Sequence, residues 1–323
     1  MKYRKFGKMG WEVSALGHGM WGMGDWTGSD DKESLRALHR TVELGINFFD
    51  TAWIYGNGRS EKLLGKLLRA YPNECLYTAT KIPPKNFKWP MEPQYTLDET
   101  FPAKHMIEYV EKSLKNFGID HIDLIQLHGW DDVWALDPSW QKAAEDLKRR
   151  GLVGAFGISI DRWEPENAIK AIKTGAVDSL QVIYNIFDQA PEDKLFPVCR
   201  KYNVAVIARV PLDEGTLTGT LTLKSKWPEG DWRNKYFNKE TLKASVEHAG
   251  KLKKVLPKGM AMSELALRFI LSNRDVSTTI PGMRKRRHVE ENAGAGEKGK
   301  LAKQLIKKLR SHRWDRRPTP SAG

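Results

Sequence analysis

The feature that most constrains this chain is an alternation. Short apolar runs recur along it, separated by stretches whose apolar residues fall at helical spacing. The runs are INFFD, CLYTATK, IDLIQLH, GAFGIS, SLQVIYN, VAVIAR and VSTTIP, with a weaker one around Ala15 to Gly17. Near-continuous apolar strands are buried on both faces, and strands separated by helices pair in parallel. Eight such units close a barrel. The helices have legible ends. Leu35, Leu38 and Val42 form a stripe closed by Gly45, and Ile107, Val110, Leu114 and Phe117 form another closed by Gly118. Asp137-Pro138 opens a third, which Gly151 closes.

The expectation is α/β, a single (β/α)₈ TIM barrel. Its 323 residues suit one barrel of about 250 residues plus insertions. No linker rich in Pro, Gly or Ser divides the chain, so residues 1–323 read as one domain, with a basic helix and tail from about 297 to 323. Two long irregular stretches, 82–102 and 213–237, directly follow strands. They are expected as extended loops at the C-terminal face, where barrels carry their chemistry.

Composition narrows the function classes. Cys75 and Cys199 are too few for a disulfide framework, no apolar run is long enough to cross a bilayer, and the N-terminus lacks the apolar core of a signal peptide. A cytoplasmic protein without membrane contact is expected. The net charge of +13 is concentrated in Arg284-Lys285-Arg286-Arg287 and in the C-terminal KLAKQLIKKLRSHRWDRR. Such runs usually make a solvated helix face; the functional alternative is an anion site. No DNA- or RNA-recognition motif accompanies them, so nucleic acid is not expected as a partner.

The residues that end the strands are polar. Asp50 closes INFFD, Lys81 closes LYTATK, His128 closes DLIQLH, Ser159 closes AFGIS and Arg209 ends VAVIA, while Gln181 and Asn185 flank VIY. Any one of these reads as a satisfied ion pair or a solvent-facing strand end. Ionisable groups ending several apolar strands at one rim are harder to explain so, because charge is poorly solvated there. Tyr55 follows Asp50 by five residues. Alone it would be a packing residue. A phenol titrates at about 10; a nearby lysine ammonium favours the phenolate, and a buried aspartate keeps the lysine charged. Such a phenol can protonate a developing alkoxide while a neutral histidine orients the carbonyl.

INFFDTAWIYGNGRSE, LYTATKIP, IDLIQLHGW, GAFGIS, SLQVIYN, VPLDEGTLTG and IPGMRKRRHVEEN occur in an order and spacing that resemble an aldo-keto reductase, over nearly the whole chain. The resemblance implies an NADP(H)-dependent reduction of an aldehyde or ketone, without a Rossmann motif, and no GxGxxG follows a strand here. By position Tyr55 is the implied general acid, Lys81 and Asp50 its tuning pair, and His128 the carbonyl-orienting group. Ser159 and Gln181 match residues that bond the nicotinamide carboxamide, and Gly19, Met20 and Trp21 a segment touching the ribose and pocket. Pro211, Leu212, Asp213, Gly215, Leu217 and Gly219 match a loop covering the pyrophosphate. Gly282, Met283, Arg284, His288, Glu291 and Asn292 match the adenosine end, with Arg284 the implied clamp on the 2′-phosphate. Lys285, Arg286 and Arg287 read equally well as surface.

Three positions depart from the family pattern. Ile160 stands where Asn is common, which leaves one carboxamide bond missing or supplied by Asn185. Arg209 stands where an aromatic often stacks on the nicotinamide. A guanidinium there would repel the oxidised, cationic ring and bias the site toward the reduced cofactor. His288 stands where glutamine is frequent, with a modest effect expected.

Substrate identity is less legible. Of twelve tryptophans, Trp21, Trp53 and Trp130 adjoin motif residues and Trp89, Trp227 and Trp232 lie in the long loops. These six are read as an aromatic wall for aryl aldehydes or sugar faces, and Trp140, Trp163 and Trp314 as core or cap residues. Trp21, Trp53, Tyr55, His128 and Trp130 are the expected contacts of a small-molecule carbonyl substrate, in a monomer or small homo-oligomer. Two rivals remain: an NADP-binding regulatory subunit with slow or no turnover, and a barrel in which Lys81 forms a Schiff base.

Overall fold

All seven strong runs and the weak one contribute strands to one sheet in the computed structural model, which describes residues 1–24, 26–160 and 164–315. An unanticipated hairpin, β1 (Tyr3–Phe6) and β2 (Trp11–Ser14), comes first. The sheet follows as β3 (His18–Gly19), β4 (Phe48–Asp50), β5 (Tyr77–Ile82), β6 (Ile122–His128), β7 (Val153–Ser159), β8 (Ser179–Ile183), β9 (Ala205–Arg209) and β10 (Thr278–Thr279). These strands pair in parallel in chain order. Parallel bridges Leu16–Thr279 and Gly19–Gly282 join the last to the first and close the barrel. The weak run therefore begins the closing seam, and its strand lies slightly later than expected.

Period-two alternation sorts each strand into two faces. Phe49, Ile82, Ile125, Leu127, Phe156, Ile158, Leu180 and Val206 belong to the large core between sheet and helices. Phe48, Ala79, Leu124, Ala155, Ala205 and Ile207 form a smaller cluster with Phe6 and Val13 of the hairpin. The hairpin thus packs against the residues filling the barrel's interior. Two residues further along β4, β5, β6, β7 and β9, on the same face and toward the C-terminal rim, stand Asp50, Lys81, Gln126, Gly157 and Arg209. Strand parity therefore points the rim's polar side chains into the barrel.

The helices begin and end as their punctuation requires. Asp30 caps Asp31–Glu43 by accepting from the Glu33 N–H, and Asp137 with Pro138 opens Pro138–Arg149. Gly118 ends Ala103–Phe117 in the left-handed conformation. Helices Arg59–Ala70 and Ala103–Phe117 approach closely at Gly65, where a Cβ would stand 2.2 Å from the Phe117 carbonyl oxygen. The two long loops are partly ordered. The first carries a helical turn, Leu97–Thr100, with a Thr96–Glu99 capping box, and the second a 3₁₀ turn, Asp213–Thr218, and a short helix, Arg233–Tyr236.

The C-terminal basic segment forms helix Lys303–Arg310. Part of its charge is paired with the body of the protein, Arg310 with Glu192 at 2.6 Å and Arg313 with Asp193 at 2.7 Å. Trp140 is core as expected, and Trp314 stacks on His248 at 3.9 Å. Trp163 and residues 316–323 lie outside the described residues. Among the described residues, no helix is long and apolar enough to cross a membrane.

Candidate active site

Asp50, at the end of β4, is 2% exposed. Its Oδ1 accepts from Lys81 Nζ at 2.6 Å, and Oδ2 accepts from Gln181 Nε2 at 2.7 Å and Gln126 Nε2 at 3.3 Å. Lys81 Nζ also donates to the Thr51 carbonyl at 2.6 Å. The amine nitrogen is thus held in place by a carboxylate and a carbonyl. That buried, doubly held nitrogen speaks against a Schiff-base lysine, whose amine must reach a substrate carbonyl.

Tyr55 lies in the turn between β4 and helix Arg59–Ala70. Lys81 Nζ is 5.2 Å from its ring centroid, and the His128 ring meets it edge-on at 5.9 Å. The four side chains expected to act together are therefore in one place. The phenol differs from the simple expectation in one respect. Burial pushes its pKa up, and this outweighs the downward pull of Lys81 and of Arg209, while Asp50 adds to the rise. His128 is driven well below the ordinary imidazole value by burial, reinforced by Lys81 and Arg209. It is a neutral imidazole, and its Nδ1 has no hydrogen-bond partner among the described residues.

Ser159 Oγ donates to Gln181 Oε1 at 3.3 Å, so the two expected carboxamide partners adjoin each other and Asp50. Gln126 was missed, although the alternation in IDLIQLH puts it on the same face as His128. Gly157 makes room for it: a Cβ there would stand 2.3 Å from Ser179 Oγ and 3.1 Å from Gln126 Cγ. Glu61, also missed, is buried and accepts from Thr80 Oγ1, Ser113 Oγ and Asn116 Nδ2 at 2.6–2.7 Å. It ties β5 to two helices directly behind Lys81.

Asn185, the alternative source of that carboxamide bond, is committed elsewhere. Its Nδ2 donates to Asp188 Oδ2 and the Val210 carbonyl, and its Oδ1 accepts from the Phe187 and Asp188 N–H groups. Every polar atom of that side chain is engaged. Arg209 Nη2 donates to the Ile160 carbonyl at 2.7 Å, so these two departures from the family pattern are in contact.

At the expected cofactor positions, Gly19 packs so tightly on β10's continuation that a Cβ would stand 2.5 Å from the Ile280 carbonyl oxygen. Met20 is buried and its N–H donates to the Asp50 carbonyl at 2.9 Å. Pro211 and Asp213 are buried, and Leu212 is partly so. Asp213, Glu214 and Gly215 are consecutive left-handed residues, with φ of 47°, 54° and 106°, and Gly219 follows at 74°. The turn closes on itself: the Asp213 N–H donates to the Val210 carbonyl at 3.1 Å and the Gly215 and Leu217 N–H groups to the Leu212 carbonyl at 3.0 Å. Leu217 and Met283 are buried in the core, which leaves only their main chain to serve a ligand. Gly282 is exposed and Asn292 buried; Glu291 is exposed and 3.6 Å from Arg287. Burial holds the His288 imidazole below its ordinary value, so it is neutral.

Arg284 is half-buried. Its Nη1 donates to the Thr27 carbonyl at 3.1 Å, and its guanidinium lies 5.9 Å from the Trp26 ring centroid. Arg286 is exposed and paired with Glu290 one helical turn on, as a surface arginine would be.

The aromatic wall is smaller than expected and partly built from other residues. Trp21 contacts Tyr55, Trp26 and Trp232, with centroids at 6.3, 5.0 and 5.0 Å. These four rings line a cavity of about 200 Å³. Trp26, which no motif singled out, is central to it. Trp89 donates from Nε1 to the His128 carbonyl at 2.7 Å and is on the rim as anticipated. Trp130 is not: it is fully buried, packed on Trp134 and Trp140, with its Nε1 satisfied by Asp132. Its indole is large and apolar, and the core behind the rim offered it a complete site. Trp53 turns toward Tyr109 and Lys112 on helix Ala103–Phe117, and Trp227 stacks on Phe237 in a satellite cluster.

Comparison with known proteins agrees with this geometry. The family model described as "Aldo/keto reductase family" matches residues 15–313. An NADH-specific methylglyoxal reductase of Escherichia coli (strain K12) is 28% identical, with 88% of this chain and 90% of that protein covered. A probable voltage-gated potassium channel subunit beta of Oryza sativa subsp. japonica is 25% identical, with 91% of each chain covered. The solved holo form of an aldo-keto reductase from Bacillus halodurans superposes with a TM-score of 0.78 at 28% identity, covering 97% of this chain and 96% of that one. With a closed barrel, a converging Asp50–Tyr55–Lys81–His128 set and a family match over nearly its whole length, the chain belongs to the aldo/keto reductase family.

Proposed function

We propose that this protein is an NADPH-dependent carbonyl reductase in which Tyr55 donates the proton. The observation that carries the reading is the packing of Tyr55, Lys81, Asp50 and His128 at one rim of the barrel. When bound, the reduced nicotinamide supplies the hydride that forms the new C–H bond. The π pair of the carbonyl moves to oxygen, and the Tyr55 O–H proton passes to that oxygen, giving the alcohol. An elevated phenol pKa suits this role. It keeps Tyr55 protonated at neutral pH, yet the phenol remains far more acidic than an alcohol, and Lys81 and Arg209 stabilise the phenolate left behind. Neutral His128 can donate one N–H to the carbonyl and orient it. Asp50 holds Lys81 in place and ties to it Gln181 and Gln126, side chains that would help hold the nicotinamide.

The residues present fit the cofactor. Ser159 and Gln181 form a polar pair beside Asp50, the Pro211–Gly219 loop stands at the rim where the family resemblance puts the pyrophosphate, and Arg284 suits a 2′-phosphate. We assign the preference for NADPH over NADH to Arg284. The substrate is a small aldehyde or ketone whose body rests against Trp21, Trp26, Trp89 and Trp232. A second reading, a regulatory subunit that binds NADP without turning over, is favoured only by the likeness to channel β subunits. Following nicotinamide absorbance across a panel of aryl, aliphatic and sugar-like carbonyls separates the two. Substrate-dependent oxidation of NADPH supports the reductase; binding of NADPH with no oxidation by any carbonyl supports the subunit.

A further inference from the structure

Val210 follows Arg209 at the end of β9 and precedes Pro211, and its φ is +54°. A β-branched side chain is strongly disfavoured in the left-handed region, where it crowds the backbone carbonyl. A following proline further biases the residue toward extended backbone. Strain of this kind persists only where surrounding contacts impose it. Here the Val210 carbonyl accepts two hydrogen bonds, from the Asp213 N–H at 3.1 Å and from Asn185 Nδ2 at 3.1 Å. The first lies within the turn and moves with it. The second comes from the segment that follows β8.

Asn185 is a rigid post. It is fully buried, and its Oδ1 accepts from the Phe187 and Asp188 N–H groups at 2.8 and 3.1 Å while Nδ2 also donates to Asp188 Oδ2 at 2.8 Å. One residue earlier, the Tyr184 N–H donates to the Arg209 carbonyl at 3.3 Å. The ends of β8 and β9 are thus stitched by one backbone bond and one side-chain bond, and the side-chain bond falls on the strained residue.

We propose that Asn185 is a positioning residue that holds Val210 in its left-handed turn. By doing so it sets both Arg209 behind it and the Pro211–Gly219 loop ahead of it. Were Val210 to relax to extended backbone, its carbonyl would rotate away and the loop would leave the rim by a different path. Asn185 itself touches no reacting atom. The proposal rests on the reading of Pro211–Gly219 as the loop that covers the cofactor.

The test uses Asn185→Ser, alone and with Val210→Gly. Serine keeps an oxygen acceptor near the Phe187 and Asp188 N–H groups, but its shorter side chain has no amide NH2 to reach the Val210 carbonyl, and glycine adopts positive φ without strain. Asn185→Ser is expected to weaken NADPH binding about tenfold, as loss of one such bond would, and to speed amide hydrogen exchange in residues 211–219. Adding Val210→Gly is expected to bring both back close to the parent. An Asn185→Ser chain that binds NADPH like the parent overturns the proposal. So does failure of Val210→Gly to restore affinity, or folding where Asn185→Ser has lost it. The exchange readout needs no turnover, so it stands or falls separately from the reductase reading.

Discussion

The side chains at the rim fall into those that sequence made legible and those that only packing decides. Asp50, Lys81, His128, Ser159 and Arg209 were visible because each ends an apolar strand, and Gln181 because it interrupts one, where a polar residue is conspicuous. Gln126 was hidden one alternation earlier, and Trp26 in a loop without periodicity. Trp130 was misjudged because adjacency to His128 in sequence says nothing of rotamer. Strand and loop place its indole in the core. Trp130→Ala should therefore cost about 3–5 kcal/mol of stability, seen as a lower urea midpoint, with little change in KM for any carbonyl. Arg284 makes the complementary case. Its guanidinium is partly buried and held by the Thr27 carbonyl, poised toward the loop that carries Trp26. Arg284→Ala should raise the NADPH dissociation constant by about ten- to a hundredfold, the worth of a charge-assisted phosphate contact. NADH affinity should change little. Tryptophan quenching by the two cofactors measures both.

At the scale of elements, strands and helix ends were legible because period two, period 3.6, N-caps and left-handed glycines are local signals. The β1–β2 hairpin was not, because its role is to pack Phe6 and Val13 against interior residues contributed by distant strands. Nor was Glu61 legible as a brace, since its partners Thr80, Ser113 and Asn116 come from elsewhere in the chain. Burial pushes its carboxyl above the ordinary value, with the three hydrogen bonds and Lys81 opposing. Glu61→Ala would leave three polar groups without their acceptor. At about 1 kcal/mol or more for each, the loss should lower the thermal midpoint by several degrees. It should also loosen β5, so that kcat falls more than cofactor affinity.

The whole molecule carries a pH signature and a chemical claim. His18 is fully buried and held at a pKa of about 3 by burial, against an ordinary 6.5. The unfolded chain therefore binds a proton at this site between pH 6.5 and 3 that the folded chain does not. The stability of this burial is complete above pH 6.5 and is lost as pH falls toward 3. The slope is about 1.4 kcal/mol per pH unit from this group. His18→Asn, whose amide can replace the Nδ1 bond to Thr41, should flatten urea-derived stability between pH 6 and 4 by about that slope; an unchanged slope would show that His18 does not titrate in this way. The central claim is that Tyr55 supplies the proton while the rest of the site binds and orients. It is tested most directly by Tyr55→Phe, with NADPH oxidation by the best carbonyl and NADPH affinity measured side by side. We predict a fall in kcat of about a hundredfold or more with the dissociation constant for NADPH unchanged. A Tyr55→Phe enzyme that turns over at the parent rate would contradict the account.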